Sequence, residues 1–207
     1  MSVFRMAMLV SALTLAGCAE IPKGLHYVAV GASDALGVGA VPPTEGYVYR
    51  IRDALDRNKS GPVSLRLLAV PSAEANLLDG LVEAYLKNGD EPGLVTLWVG
   101  SNDLIAGRSA AAFEHDLTYM LGMMRERGIE RVFIANIPNL SELPRFRTGS
   151  AGNVTGERVQ AYNEAIERQA HRFGYAVVDL AERDIAAKTI TTADGLHPNN
   201  EGHRLIV

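Results

Sequence analysis

Cysteine is nearly absent from this 207-residue chain: Cys18 stands alone, so no disulfide can form within the molecule. Positive charge is not in excess either. The 20 Lys and Arg side chains stand against 24 Asp and Glu, a formal net charge of −4, and a chain with no basic face argues against nucleic acid as a partner. The apolar stretch 6–15 is too short to span a bilayer, for which roughly 20 residues are needed. No internal repeat, low-complexity tract or linker divides the chain, and its length suits one domain. Hairpin signals are also missing between the strand-like runs.

At the N-terminus a short segment charged only by Arg5 precedes the apolar stretch, which is the pattern of a secretory signal. Leu15-Ala16-Gly17-Cys18 resembles the lipobox of bacterial lipoproteins, whose cysteine becomes the lipid-modified first residue of the mature protein. The resemblance implies a signal peptide over 1–17, lipidation at Cys18, a tether over 18–25 and a folded domain over 26–207. It also implies export and a membrane anchor in the cell envelope. Ala19 and Glu20 follow the cysteine, and with no aspartate there the expected place is the outer membrane, facing the periplasm.

From residue 26 onward strand and helix signals alternate. Predicted strands cover 26–30, 63–70, 93–99, 131–136 and 176–179, and predicted helices fall between them. Asn76 is the expected cap of the second helix and Ser109 that of the third, whose Phe113, Leu117, Met120, Leu121 and Met124 recur at helical spacing until Gly128. Segment 137–156 has two prolines and no period, so it reads as a long surface loop over the strand ends. The last residues, 199–207, read as a closing helix of about two turns, short or cut off. Strands joined through helices require parallel pairing and right-handed crossovers, so the expected fold is a three-layer α/β/α sandwich around a five-stranded parallel sheet.

The first strand turns abruptly into Gly31-Ala32-Ser33-Asp34-Ala35-Leu36-Gly37-Val38-Gly39. On its own this loop could cradle a phosphate or carry a nucleophile. It has no lysine, and Asp34 would repel a phosphate. Three further pieces follow predicted strands: Ser72, then Gly100-Ser101-Asn102-Asp103, then Asp194-Gly195-Leu196-His197. In this order the blocks around Ser33, Asn102 and His197 resemble the SGNH, or GDSL, hydrolase superfamily over most of the chain.

That resemblance implies a flavodoxin-like SGNH fold and a serine esterase or lipase-type hydrolase that needs no cofactor. Ser33 would be the nucleophile, His197 its base and Asp194 the group that fixes the imidazole. The oxyanion hole would be built from the Ser33 N–H, the Asn102 side-chain amide and the N–H of Ser72. The substrate would be a small-molecule, lipid or glycan ester. Two positions depart from the family pattern. Ala32 replaces an aspartate that is not part of the triad, and Ser72 stands where the second block usually has a glycine. No metal is expected: Asp194, His197 and His203 lack a fourth ligand at a usual spacing. His26, His115 and His171 read as surface or partly packed groups, and Asp103 as a tie within its own loop. The competing reading is an envelope lipoprotein that keeps this fold as a glycan- or partner-binding module. A complete set of Ser33, Asp194 and His197 speaks against it, since a retired site is free to lose any member.

Overall fold

A computed structural model describes residues 24–58, 61–147, 152–183 and 191–207. The signal segment, Cys18 and most of the tether lie outside the described residues, as do 148–151 of the expected long loop. Strand β1 (Leu25–Gly31) runs through the interior, and Tyr27, Val28, Ala29 and Val30 are all but inaccessible to water. A run apolar on every side chain suits a strand covered on both faces. Helix α1 (Tyr47–Asn58) follows, then β2 (Val63–Ala69), α2 (Ala75–Lys87) and β3 (Leu94–Trp98). The chain continues through α3 (Ser101–Ala106), α4 (Ala110–Glu126), β4 (Val132–Ala135), α5 (Pro144–Arg147), α6 (Gly156–Phe173), β5 (Ala176–Val178) and α7 (Asn200–Ile206).

All neighbouring strands are parallel, in the order β2-β1-β3-β4-β5. The chain therefore reverses direction across the sheet between β1 and β3, and Gly31 pairs with Trp98, so these two strands end level. Ligand crevices of open α/β sheets form outside the carboxyl ends of the strands at such a switch point. Ser33 leaves β1 on one side of it and Asn102 leaves β3 on the other. Helices α2, α4 and α6 bury Leu78, Leu117 and Ile166 on one face, while α1 and α7 cover the other through Tyr47, Val48 and Ile206.

Three local expectations change. Helix α2 begins at Ala75, not beyond Asn76, and its preceding Glu74 makes no side-chain cap. Its first N–H is instead accepted by both oxygens of the buried Asp103 carboxylate, at 3.2 and 3.0 Å. Asp103 thus does more than tie its own loop: it also pairs with Arg108, which reaches on to Asp116 at 2.7 Å. The described part of 137–156 is not a loose surface loop. It buries Ile137, Leu140, Leu143 and Val154 against the core and contains α5. Ser109 caps α4 as expected, accepting from the Ala112 N–H at 3.1 Å.

Candidate active site

The glycine-rich loop makes a tight turn as soon as β1 ends. The Ser33 carbonyl accepts the N–H groups of Leu36 and Val38, both at 3.1 Å, which folds the chain back under the serine. Gly39 has φ +95°, and a side chain there would meet the Pro198 carbonyl at 2.1 Å. Only glycine lets this loop lie directly on the segment that carries His197. Helix α7 fastens the same loop. Asn200 accepts from the Val41 N–H at 2.7 Å and donates to the Val41 carbonyl at 2.8 Å. The buried His203 accepts the Tyr47 N–H at Nδ1 and donates from Nε2 to the Val38 carbonyl at 3.0 Å. Both ring nitrogens are occupied in this way and burial holds its pKa below the usual histidine value, so His203 is a neutral strut.

Asp194 divides its two oxygens between a turn and a histidine. Oδ1 accepts from the Thr192 hydroxyl at 2.6 Å and from the N–H groups of Leu196 and His197 at 2.9 and 3.0 Å. Oδ2 lies 2.5 Å from His197 Nδ1, and His197 Nε2 lies 2.9 Å from Ser33 Oγ. Partial burial pushes the Asp194 carboxyl up, but the hydrogen bonds from His197, Thr192 and the two N–H groups outweigh it and hold it well below the usual carboxylate range. An ionised carboxylate can only accept. Nδ1 is therefore the protonated nitrogen, and Nε2 presents its lone pair to the serine hydroxyl. A hydroxyl, an imidazole and a carboxylate are joined by two successive contacts.

Asn102 lies in the first turn of α3, set there by Gly100 at φ +102°. A Cβ at Gly100 would come within 2.9 Å of the Phe113 ring, so the approach of α3 to α4 needs the glycine. One N–H of the Asn102 amide donates to the Ala73 carbonyl at 2.9 Å. An amide nitrogen has two hydrogens, and among the described residues the second has no acceptor. Ser33, Asn102 and His197 line one cleft together with Asp34, Trp98, Ile105 and Leu196.

Ser72 is the exception among the expected site residues. Its neighbour Ala73 forms the wall of the cleft, and the exposed Ser72 side chain does not line it. Its φ of +60° makes it the one described non-glycine residue in the left-handed region. The turn's own bond runs from the Ala73 N–H to the Val70 carbonyl at 3.1 Å, leaving the Ser72 N–H outside it. Conformations of this kind cost a residue with a Cβ about 1–2 kcal/mol, more when it is β-branched. Ser72→Gly is expected to unfold in urea at the same midpoint or a higher one and Ser72→Val at a lower one, the two variants differing in stability by about 1–2 kcal/mol or more. Equal midpoints for glycine and valine would mean that the turn carries no such strain.

Two features of this cleft carry no motif of their own in the sequence. Asp34 bears in the sequence only on phosphate binding, yet it lines the cleft beside the serine, and burial pushes its carboxyl up to about 6, with His197 working against the rise and Asp194 adding to it. The Trp98 indole nitrogen is buried with no hydrogen-bond partner among the described residues. Its only sequence signal is its position at the end of β3, level with Gly31.

The same fold recurs in solved structures. The psychrotrophic esterase EstA from a Pseudoalteromonas species superposes with a TM-score of 0.71 at 16% identity, covering 87% of this chain and 91% of that one. TesA gives 0.72 at 20% identity, over 87% and 93% of the two chains. A lipolytic protein of the G-D-S-L family from Veillonella parvula gives 0.68 at 22%, over 88% and 94%. No curated protein matches the sequence. The model of the GDSL-like lipase/acylhydrolase family matches residues 29–205, from within β1 to within α7, and so takes in Ser33, Asn102, Asp194 and His197: the chain belongs to that family.

Proposed function

We propose that this protein is a serine esterase that cleaves carboxylic esters through an acyl-enzyme. The observation that carries the reading is the relay from Asp194 Oδ2 through His197 to Ser33 Oγ, with spacings of 2.5 and 2.9 Å. Ser33 Oγ attacks the ester carbonyl carbon while its proton passes to His197 Nε2. Charge that develops on the carbonyl oxygen meets the free N–H of Asn102, the Ser33 N–H and the Ser72 N–H. Nε2 then gives the proton to the departing alcohol as the C–O bond breaks. Water attacks the acyl-serine by the same route, losing a proton to Nε2, and the acid leaves as Ser33 regains its hydrogen. Acyl transfer of this kind uses only groups present in the chain.

The lipobox at Cys18 supports the further reading that this domain acts in the cell envelope, held by lipid to the outer membrane and facing small-molecule, lipid or glycan esters. The Pseudoalteromonas relative is an esterase seen inhibited by monoethylphosphonate, which makes a fluorophosphonate the natural probe. The full-length protein expressed in a Gram-negative host should label at Ser33 and hydrolyse short p-nitrophenyl esters. The labelled band should sediment with outer membranes and move to the soluble fraction in Cys18→Ser. A folded protein that neither labels nor hydrolyses is a binding module and overturns the esterase reading. Labelled protein that ignores the cysteine change overturns the anchor alone.

A further inference from the structure

We infer that Asp34 is a specificity-determining residue: it sets a negative charge in the wall of the cleft beside Ser33, so the site takes esters that are neutral or cationic near the scissile carbonyl and rejects anionic ones. The inference rests on the esterase reading and narrows its substrate class.

Asp34 follows Ser33 directly and opens the short turn 34–36, which is closed by the Gly37 N–H on the Asp34 carbonyl at 3.0 Å. Asp34 lines the same cleft as Ser33, Asn102 and His197. The charges that face it are few. Segment 191–199 brings His197 and Asp194, and α1 brings the Tyr47 phenol, whose ionisation is opposed first by burial, then by Tyr27, then by Asp34 itself. β3 contributes Trp98, which is uncharged, and α7 the neutral His203 stacked on Tyr47. Among the described residues no Lys or Arg lines the cleft and no ion pair neutralises Asp34. Asp194 is hydrogen-bonded to His197, whereas Asp34 feels the same imidazole only through space.

A half-buried carboxylate with no ion pair costs stability, and a fold keeps such a group where it serves the site. In a partly dry cleft the repulsion between this charge and an anionic substrate group a few bonds from the carbonyl is worth roughly tenfold or more in rate. Among envelope esters the charge favours neutral acylated sugars over lipids with a phosphate close to the ester. It also follows pH. With the carboxyl pushed up to about 6, Asp34 is charged at neutral pH and takes a proton in mild acid. Discrimination is then strongest at and above pH 7 and fades as pH falls through about 6.

The test compares p-nitrophenyl butyrate with the p-nitrophenyl monoester of glutaric acid, subtracting the rate of Ser33→Ala as background. Wild type should prefer the neutral ester, and the ratio of the two kcat/KM values should fall about tenfold in Asp34→Asn while Asp34→Glu keeps it. Asp34→Ser provides a second neutral variant, and the wild-type ratio measured between about pH 7.5 and 5.5 tests the charge without any substitution. A ratio that stays within about twofold in both neutral variants, or a wild type indifferent to substrate charge, overturns the inference and leaves the esterase standing. A wild type that hydrolyses neither ester removes the esterase reading and this inference with it.

Discussion

Ser33→Ala is expected to lower kcat/KM for a neutral ester by about five to six orders of magnitude and to abolish fluorophosphonate labelling. In the proposed mechanism the hydroxyl forms the only covalent bond between protein and substrate, and the 2.9 Å contact from Oγ to Nε2 is the path by which it would lose its proton. What alanine leaves intact is the free N–H of Asn102 and the backbone donors, so a residue of catalysis about 10³-fold over water should remain. Because serine and histidine act as one unit, the double variant Ser33→Ala with His197→Ala should be no worse than either single one. Side-by-side progress curves for the three variants at high enzyme concentration read this directly. A Ser33→Ala protein that keeps more than about 1% of the wild-type rate would mean that water or another group makes the attack.

Ser33 and Asn102 were legible in the sequence because each follows closely on the end of a buried strand, whereas Asp194 and His197 lie far beyond the end of β5 and are marked only by their own Asp-x-x-His spacing. β1 and β3 are continuous apolar runs, and buried parallel strands leave that mark. Their ends locate Ser33 and Asn102 without knowledge of the packing. Other features leave no local trace. The cap of α2 comes from Asp103, 28 residues away, whereas local sequence offers only Asn76. Segment 137–156 looked like a surface loop because its prolines break the period. Its buried Leu140 and Leu143 are anchored by tertiary contact and not by repetition. His203 could be seen only as a histidine in a closing helix; its two bonds, to residues 156 and 165 positions earlier, exist only once α7 lies against the glycine-rich loop. Ser72 is the reverse case. Its departure from glycine was visible in the sequence, and its φ of +60° gives that departure its physical cost.

Asp194→Asn is expected to cost about 10⁴-fold in kcat, with a smaller change in KM, because neither orientation of the amide can do both jobs of the carboxylate. With its NH₂ toward His197, the side chain donates to Nδ1 and forces the proton onto Nε2. Nε2 then points an N–H at Ser33 Oγ and can take no proton from it. With its oxygen toward His197 the tautomer is right, but the NH₂ faces the Thr192 hydroxyl and the N–H groups of Leu196 and His197, all of which were donating to Oδ1. The turn that aims the histidine then loses its acceptor. The same bonds fix the pH dependence of stability. Asp194 has a lower pKa folded than unfolded, so its contribution is present above the unfolded carboxylate value of about 4 and is lost as pH falls below it. Urea midpoints of wild type and Asp194→Asn should therefore differ at pH 7 and converge in acid, while the rate defect at pH 7 exceeds anything that the stability loss explains. An asparagine variant within about tenfold of wild type in kcat would show that His197 is oriented by something other than this carboxylate.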